Sequence, residues 1–117
     1  MAERTTLTAG VPALVLQTAA WGVVTAASGG TSIDFSSDLD DVDGDAYDVS
    51  SVSGLVAVEF DNTANSTTVN VTLGSNTANI PIIGGAARTL VIDLSETCTL
   101  TASSNTDVLV IAYVRPV

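Results

Sequence analysis

The sequence predicts an all-β chain: a single-domain antiparallel β-sandwich or jelly roll of about eight strands with an extended N-terminal arm. Three observations lead there. Short apolar and β-branched runs recur at spacings of roughly 8–15 residues, separated by Gly, Asn, Ser and Asp turn chemistry. The composition is 46% hydrophobic but only 4% aromatic, so the core is built from Val, Leu, Ile and Ala. No stretch carries a convincing helical period. At 117 residues the chain is one domain, spanning residues 1–117, long enough to bury a sizeable core.

Residues 1–10 show no burial pattern beyond Leu7 and read as an arm. Residues 11–27 are apolar enough to raise the question of a signal peptide. However, Glu3 and Arg4 precede them, and Pro12, Gln17 and Gly22 interrupt a run too short for a membrane span. They read as strand plus turn, with a first strand over residues 12–18 that Pro12 can begin. A helix over residues 19–27 is disfavoured by Gly22, Val23, Val24 and Thr25. Trp21 follows the first strand as a core or edge anchor, or as an interface hot spot. After a turn at residues 28–31, residues 32–36 alternate with Ile33 and Phe35 inward. Residues 37–53 form an acidic loop, and connections of that length in compact domains are functional or mobile.

Strand character resumes over residues 54–60. Residues 68–73 alternate most cleanly, with Val69, Val71 and Leu73 inward and Thr68, Asn70 and Thr72 outward. The turns flanking them both carry Asn-Thr-Ala-Asn, at 62–65 and 76–79, because Asn tolerates left-handed backbone and closes local turns. Pro81 marks residues 80–83 as an edge strand. Residues 84–88 read as a loop, and residues 89–94 as a strand with Leu90, Ile92 and Leu94 on one face. Residues 97–102 form another, and residues 107–114 the last, with Pro116 ending further pairing.

The formal net charge is −10; His and Lys are absent, and Arg4, Arg88 and Arg115 are the cations. Such a surface is a poor match for nucleic acid or an anionic membrane, both bound chiefly through Lys and Arg, so neither is expected as a partner. It fits a soluble protein, one living in salty water, or a genome poor in Lys codons. The single cysteine, Cys98, excludes an internal disulfide and alternates with threonines in phase with Leu100, as a buried small hydrophobe does.

Without His or Lys, no Ser, Thr or Cys has a usual activating base, and the chain reads as non-enzymatic, with no catalytic residues. Glu59 and Glu96 could serve a two-carboxylate mechanism by chemistry alone, but both read as solvated. Asp41, Asp43 and Asp45 alternate around Gly44 and are weak calcium candidates. An EF-hand register with Gly44 at the sixth position puts Leu39 first and Ser50 twelfth, and fails at both ends. No other cofactor is expected. The sequons Asn65-Ser66-Thr67 and Asn70-Val71-Thr72 carry no weight in a chain so rich in Asn, Ser and Thr.

The closing strand is apolar on both faces: Val108, Val110, Ala112 and Val114 on one, Leu109, Ile111 and Tyr113 on the other. Residues 55–60 and 90–94 share the feature, whereas the other strands alternate as a sandwich with one wet face should. Two covers compete for the second face: residues 12–27 folding back over it, or another chain, since large apolar patches are rare on monomers. The second is favoured, as a homo-oligomer, a dimer or more readily a trimer. Trp21, Leu109, Ile111 and Tyr113 are the candidate interface residues, with the inward face of the last strand left open.

The short start Met1-Ala2-Glu3-Arg4-Thr5-Thr6, the Val/Thr/Ala-rich β domain and the close Val110-Ile111-Ala112-Tyr113-Val114-Arg115-Pro116 resemble small virion proteins of tailed phages, above all the capsid decoration, or cement, proteins. The resemblance implies a trimeric β domain on the outer capsid that clamps major capsid or other virion proteins and stabilises the shell without catalysis. A tail, fibre or baseplate domain that binds a host receptor is the alternative. A secreted carbohydrate-binding or adhesion module is a further one, for which Trp21, Tyr47 and Tyr113 with two Phe are few aromatics.

Overall fold

Valine- and threonine-rich runs punctuated by Gly and Asn form eight strands in a computed structural model that describes residues 17–49, 55–74, 79–93 and 96–114. They are β1 (Gln17–Ala26), β2 (Thr31–Ser32), β3 (Leu55–Asp61), β4 (Val69–Leu73), β5 (Ile80–Ile82), β6 (Ala87–Asp93), β7 (Cys98–Thr101) and β8 (Thr106–Val114). The expected arm at 1–10, the start of the first strand at 12–16, residues 50–53 of the acidic loop, Leu94 and Pro116 lie outside the described residues. No α-helix occurs among those described.

Two four-stranded antiparallel sheets face each other, ordered β1-β8-β3-β6 and β2-β7-β4-β5. The pairing has a simple logic. β1 pairs with β8, β2 with β7, β3 with β6 and β4 with β5, so the chain is one long hairpin folded over itself. Contacts β8·β3 and β7·β4 then close each sheet. This is the strand order of a jelly roll, an all-β sandwich of the expected size. Its core comes from alternate residues of both sheets: Val58, Phe60, Val108, Val110 and Ile92 from the first, Val69, Val71, Ile82, Cys98 and Leu100 from the second. Pro81 does sit on an edge strand, β5, the place in a sheet where a residue without an N–H is tolerated.

Three boundaries depart from expectation. Trp21 lies in the middle of β1 rather than in a turn after a strand. The inward positions there are small, Ala20 and Gly22, because Leu39 of the acidic loop fills the space they leave. A register shift between Thr18 and Ala20 also breaks the two-residue period. Second, β2 ends at Ser32, although Ile33 and Phe35 are buried as their alternation requires. Third, β6 begins at Ala87, inside the stretch expected to be a loop.

The acidic loop is tied down over its described part. The N–H of Trp21 donates to the carbonyl of Asp40 at 3.0 Å, and the N–H of Asp40 returns a bond to Trp21 at 2.9 Å. Tyr47 N–H donates to Leu39 and Val49 N–H to Phe35, at 2.8 and 2.9 Å. Leu39 and Val49 are fully buried. The loop therefore covers the outer edge of β1, which would otherwise offer open ladder groups to another chain. A Cβ on Gly22 would stand 2.8 Å from the Asp38 carbonyl oxygen, so this docking needs glycine.

Cys98 is fully buried, and burial pushes its thiol from an ordinary 9.0 up to about 12. The neutral thiol is the form the fold accommodates, so its stabilising contribution is complete below pH 9.0 and falls away as pH rises through the window to about 12. In the native protein at pH 8, Cys98 is expected to react with a thiol reagent at least about a thousand times more slowly than in urea-unfolded chain. Comparable rates would show that the β7 core opens far more readily than its packing implies.

Candidate interaction surface and loop-end cleft

The two faces of β8 are now distinguished. Val108, Val110 and Ala112 point into the sandwich with no exposure, and Leu109, Ile111 and Tyr113 point outward and are half-buried by their neighbours. Cross-strand pairing builds the outer face around them. Trp21 of β1 stands opposite Ile111, and Val23 opposite Leu109. On the other side, β3 sets Ala57 against Tyr113, Glu59 against Ile111 and Asp61 against Leu109. Val91 of β6 lies opposite Ala57.

Residues 17–26 thus extend the sheet sideways instead of folding over it, so that cover for the second face is corrected: this stretch enlarges the apolar face. Trp21 is 40% exposed, Val23 64% and Val91 66%. The structure brings all four candidate interface residues together and adds Val23 and Val91. Glu59 sits among them with its carboxylate occupied, as the Tyr113 hydroxyl donates to its Oε1 at 2.7 Å. Asp61 and Asp107 follow on the same rows toward one end of the sheet.

Asp41, Asp43 and Asp45 do not converge. The Oδ1 of Asp41 accepts the N–H groups of Asp43 and Asp45 at 2.9 and 3.1 Å, closing its own turn. Among the described residues no three metal-ligating side chains cluster. Glu59 and Glu96 are likewise apart, one on the outer face of β3 and the other in the turn before β7 of the opposite sheet.

Two further carboxylates act as turn braces. Asp34 accepts the hydroxyl and N–H of Ser36 and a bond from Ser37, and Asp61 accepts the hydroxyl and N–H of Thr63. These bonds hold both acids below their ordinary 3.8. A lowered pKa stabilises above the unfolded value and is lost as pH falls through the folded one. Asp61→Asn is therefore expected to flatten the acid limb of melting temperature against pH below about pH 4, leaving the dependence near neutrality unchanged. A limb of identical slope in both proteins would remove Asp61 from the acid transition.

A cleft of about 620 Å³ opens at the other end of the sandwich from the acidic loop. Its walls are the β3–β4 connection at 64–67, the β7–β8 turn with the start of β8 at 104–107, and Thr25 at the end of β1. Beneath the first wall lies Asn62, fully buried. Its Nδ2 donates to the carbonyls of Thr67 at 2.8 Å and Ile82 at 3.0 Å, and its Oδ1 accepts from Asn65 at 2.8 Å. Its N–H donates to the Ala86 carbonyl and its own carbonyl accepts from Asn65 and Gly85. Sequence reasoning treated Asn62 as an ordinary turn former and missed this knot.

No protein-family model, curated protein or solved structure matches the chain.

Proposed function

We propose that this protein is a non-enzymatic structural component of a virus particle, a decoration or cement protein that binds a capsid shell and stabilises it. The observation that carries the reading is the outer face of β1-β8-β3-β6, where Trp21, Val23, Leu109, Ile111, Tyr113 and Val91 lie on one four-stranded sheet. Apolar area of this kind is what a binding interface removes from water, and Trp and Tyr are the residues that most often dominate its energy. A ligand that binds only the intact shell stabilises it by mass action. The jelly-roll strand order adds support at the level of fold analogy, since capsid and virion domains use it often.

In this reading the protein sits on the capsid surface, its partners are the major capsid or other virion proteins, and it acts as a homo-oligomer, a trimer being the simplest closed form around a local three-fold axis. Particles made without the protein are expected to assemble and then to rupture at lower temperature or pressure than complete ones. Shells of unchanged stability would refute the role. Light scattering that finds a monomer at micromolar concentration would remove the oligomer from the proposal and leave shell binding standing.

A further inference from the structure

The cleft at the loop end is lined almost wholly by polar groups, unlike the apolar face proposed to meet the shell. Its volume, about 620 Å³, lies inside the range of small-molecule sites. Apart from Ala64 its lining is hydroxyl, amide and carboxylate, and none of the lining residues is a cation.

The walls are fixed before any ligand arrives. Asn65 Nδ2 donates to the Asp107 carbonyl at 2.7 Å and to Asn62 Oδ1 at 2.8 Å, tying the β3–β4 connection to the start of β8. Thr25 Oγ1 donates to Asp107 Oδ1 at 2.6 Å, and Thr106 Oγ1 to the Ser104 carbonyl at 2.9 Å. What these bonds leave over faces the cleft. The second carboxylate oxygen of Asp107, the hydroxyls of Ser66 and Ser104 and the amide of Asn105 have no protein partner among the described residues.

The chemistry of those groups selects the ligand. A carboxylate with no cation in the lining around it among the described residues, on a chain of net charge −10, repels phosphate, sulfate and uronate. An apolar ligand would strip water from four polar groups and return no hydrogen bonds. A ligand carrying many neutral hydroxyls satisfies them all: a carboxylate oxygen accepts from hydroxyls, and an amide both donates and accepts. We infer that the cleft formed by residues 64–67, 104–107 and Thr25 binds a neutral glycan. Its fixed walls reduce the ordering cost of binding, and the lack of an aromatic in the lining sets a low-millimolar affinity.

The test is an amide NMR titration of the full chain with neutral gluco-, manno-, galacto- and N-acetylglucosamine oligosaccharides to about 20 mM, with an oligogalacturonate as the anionic comparison. At least one neutral sugar is expected to shift signals of residues 64–67 and 104–107, with saturation. The Asn105 side chain is exposed and has no hydrogen bond among the described residues, so Asn105→Ala should fold with unchanged melting temperature and weaken that binding about tenfold. Silence from every neutral sugar overturns the proposal, as do shifts that Asn105→Ala leaves intact. An oligogalacturonate that binds as well as the neutral sugars overturns the charge argument and with it the ligand class.

Discussion

Asn62→Asp is expected to cost the domain about 3–5 kcal/mol and to lower its melting temperature by roughly 10–20 °C. The reason is geometric. The Nδ2 group serves two carbonyls, Thr67 and Ile82, in a site with no water access. A carboxylate there offers no proton to either and sets a buried negative charge against two acceptors. Asn62→Ala removes the charge but leaves both carbonyls and the Asn65 amide without that partner, at about 2–4 kcal/mol. The cost reaches beyond one loop, because Asn62 joins the β3–β4 connection to the β5–β6 turn through Ile82, Gly85 and Ala86. These segments approach so closely that a Cβ on Gly84 would fall 2.4 Å from the Ser66 carbonyl carbon. Urea unfolding of Asn62→Asp beside Asn105→Asp, an exposed isochemical control, checks the claim. A difference below about 1 kcal/mol between them would show that the knot adds little.

Which features were legible follows from what each residue touches. β4 could be read because one of its faces is wet: Val69 and Val71 alternate with Asn70 and Thr72, and no other strand orientation buries the valines. β8 could be located but not oriented, because Val110 and Ile111 are equally apolar and only the position of the second sheet separates them. β1 was displaced for a long-range reason. Its inward residues are small to admit Leu39, some 17 positions onward, and a local pattern carries no trace of that. The acidic loop was visible as a loop. Its docking was not, since Leu39 and Val49 are isolated among aspartates and show no period. Asn62 was illegible for a similar reason: asparagine in a turn is ordinarily a surface residue, and its burial depends on the β5–β6 turn closing over it. The jelly-roll order rests on β1 pairing with β8 across most of the chain, which no window of sequence contains.

Trp21→Ala and Val23→Asp are each expected to weaken binding to shells stripped of the protein by about 30-fold or more, with little change in the fold. The two effects separate because of where the side chains point. Val23 is 64% exposed, so the free protein gains little from it, and Trp21, 40% exposed, lies outside the sandwich core, so its loss removes surface packing without opening a core cavity. Bound to a partner, both would lie beside Leu109 and Ile111, where a lost ring leaves a gap and an added carboxylate is desolvated without a counter-charge. Val42→Asp supplies the comparison: Val42 is 80% exposed on the acidic loop, outside this face, and its replacement should leave binding unchanged. Co-sedimentation with shells, alongside melting curves of the free variants, reads both quantities. If Trp21→Ala and Val23→Asp bind as well as the parent, the outer sheet face is not the contact. If Val42→Asp weakens binding equally, added charge rather than position is responsible. A face carried on four paired strands keeps its shape when free, so little entropy is lost in presenting Trp21 and Val23 to a partner. That paired framework is why two substitutions on this face can decide between bound and free.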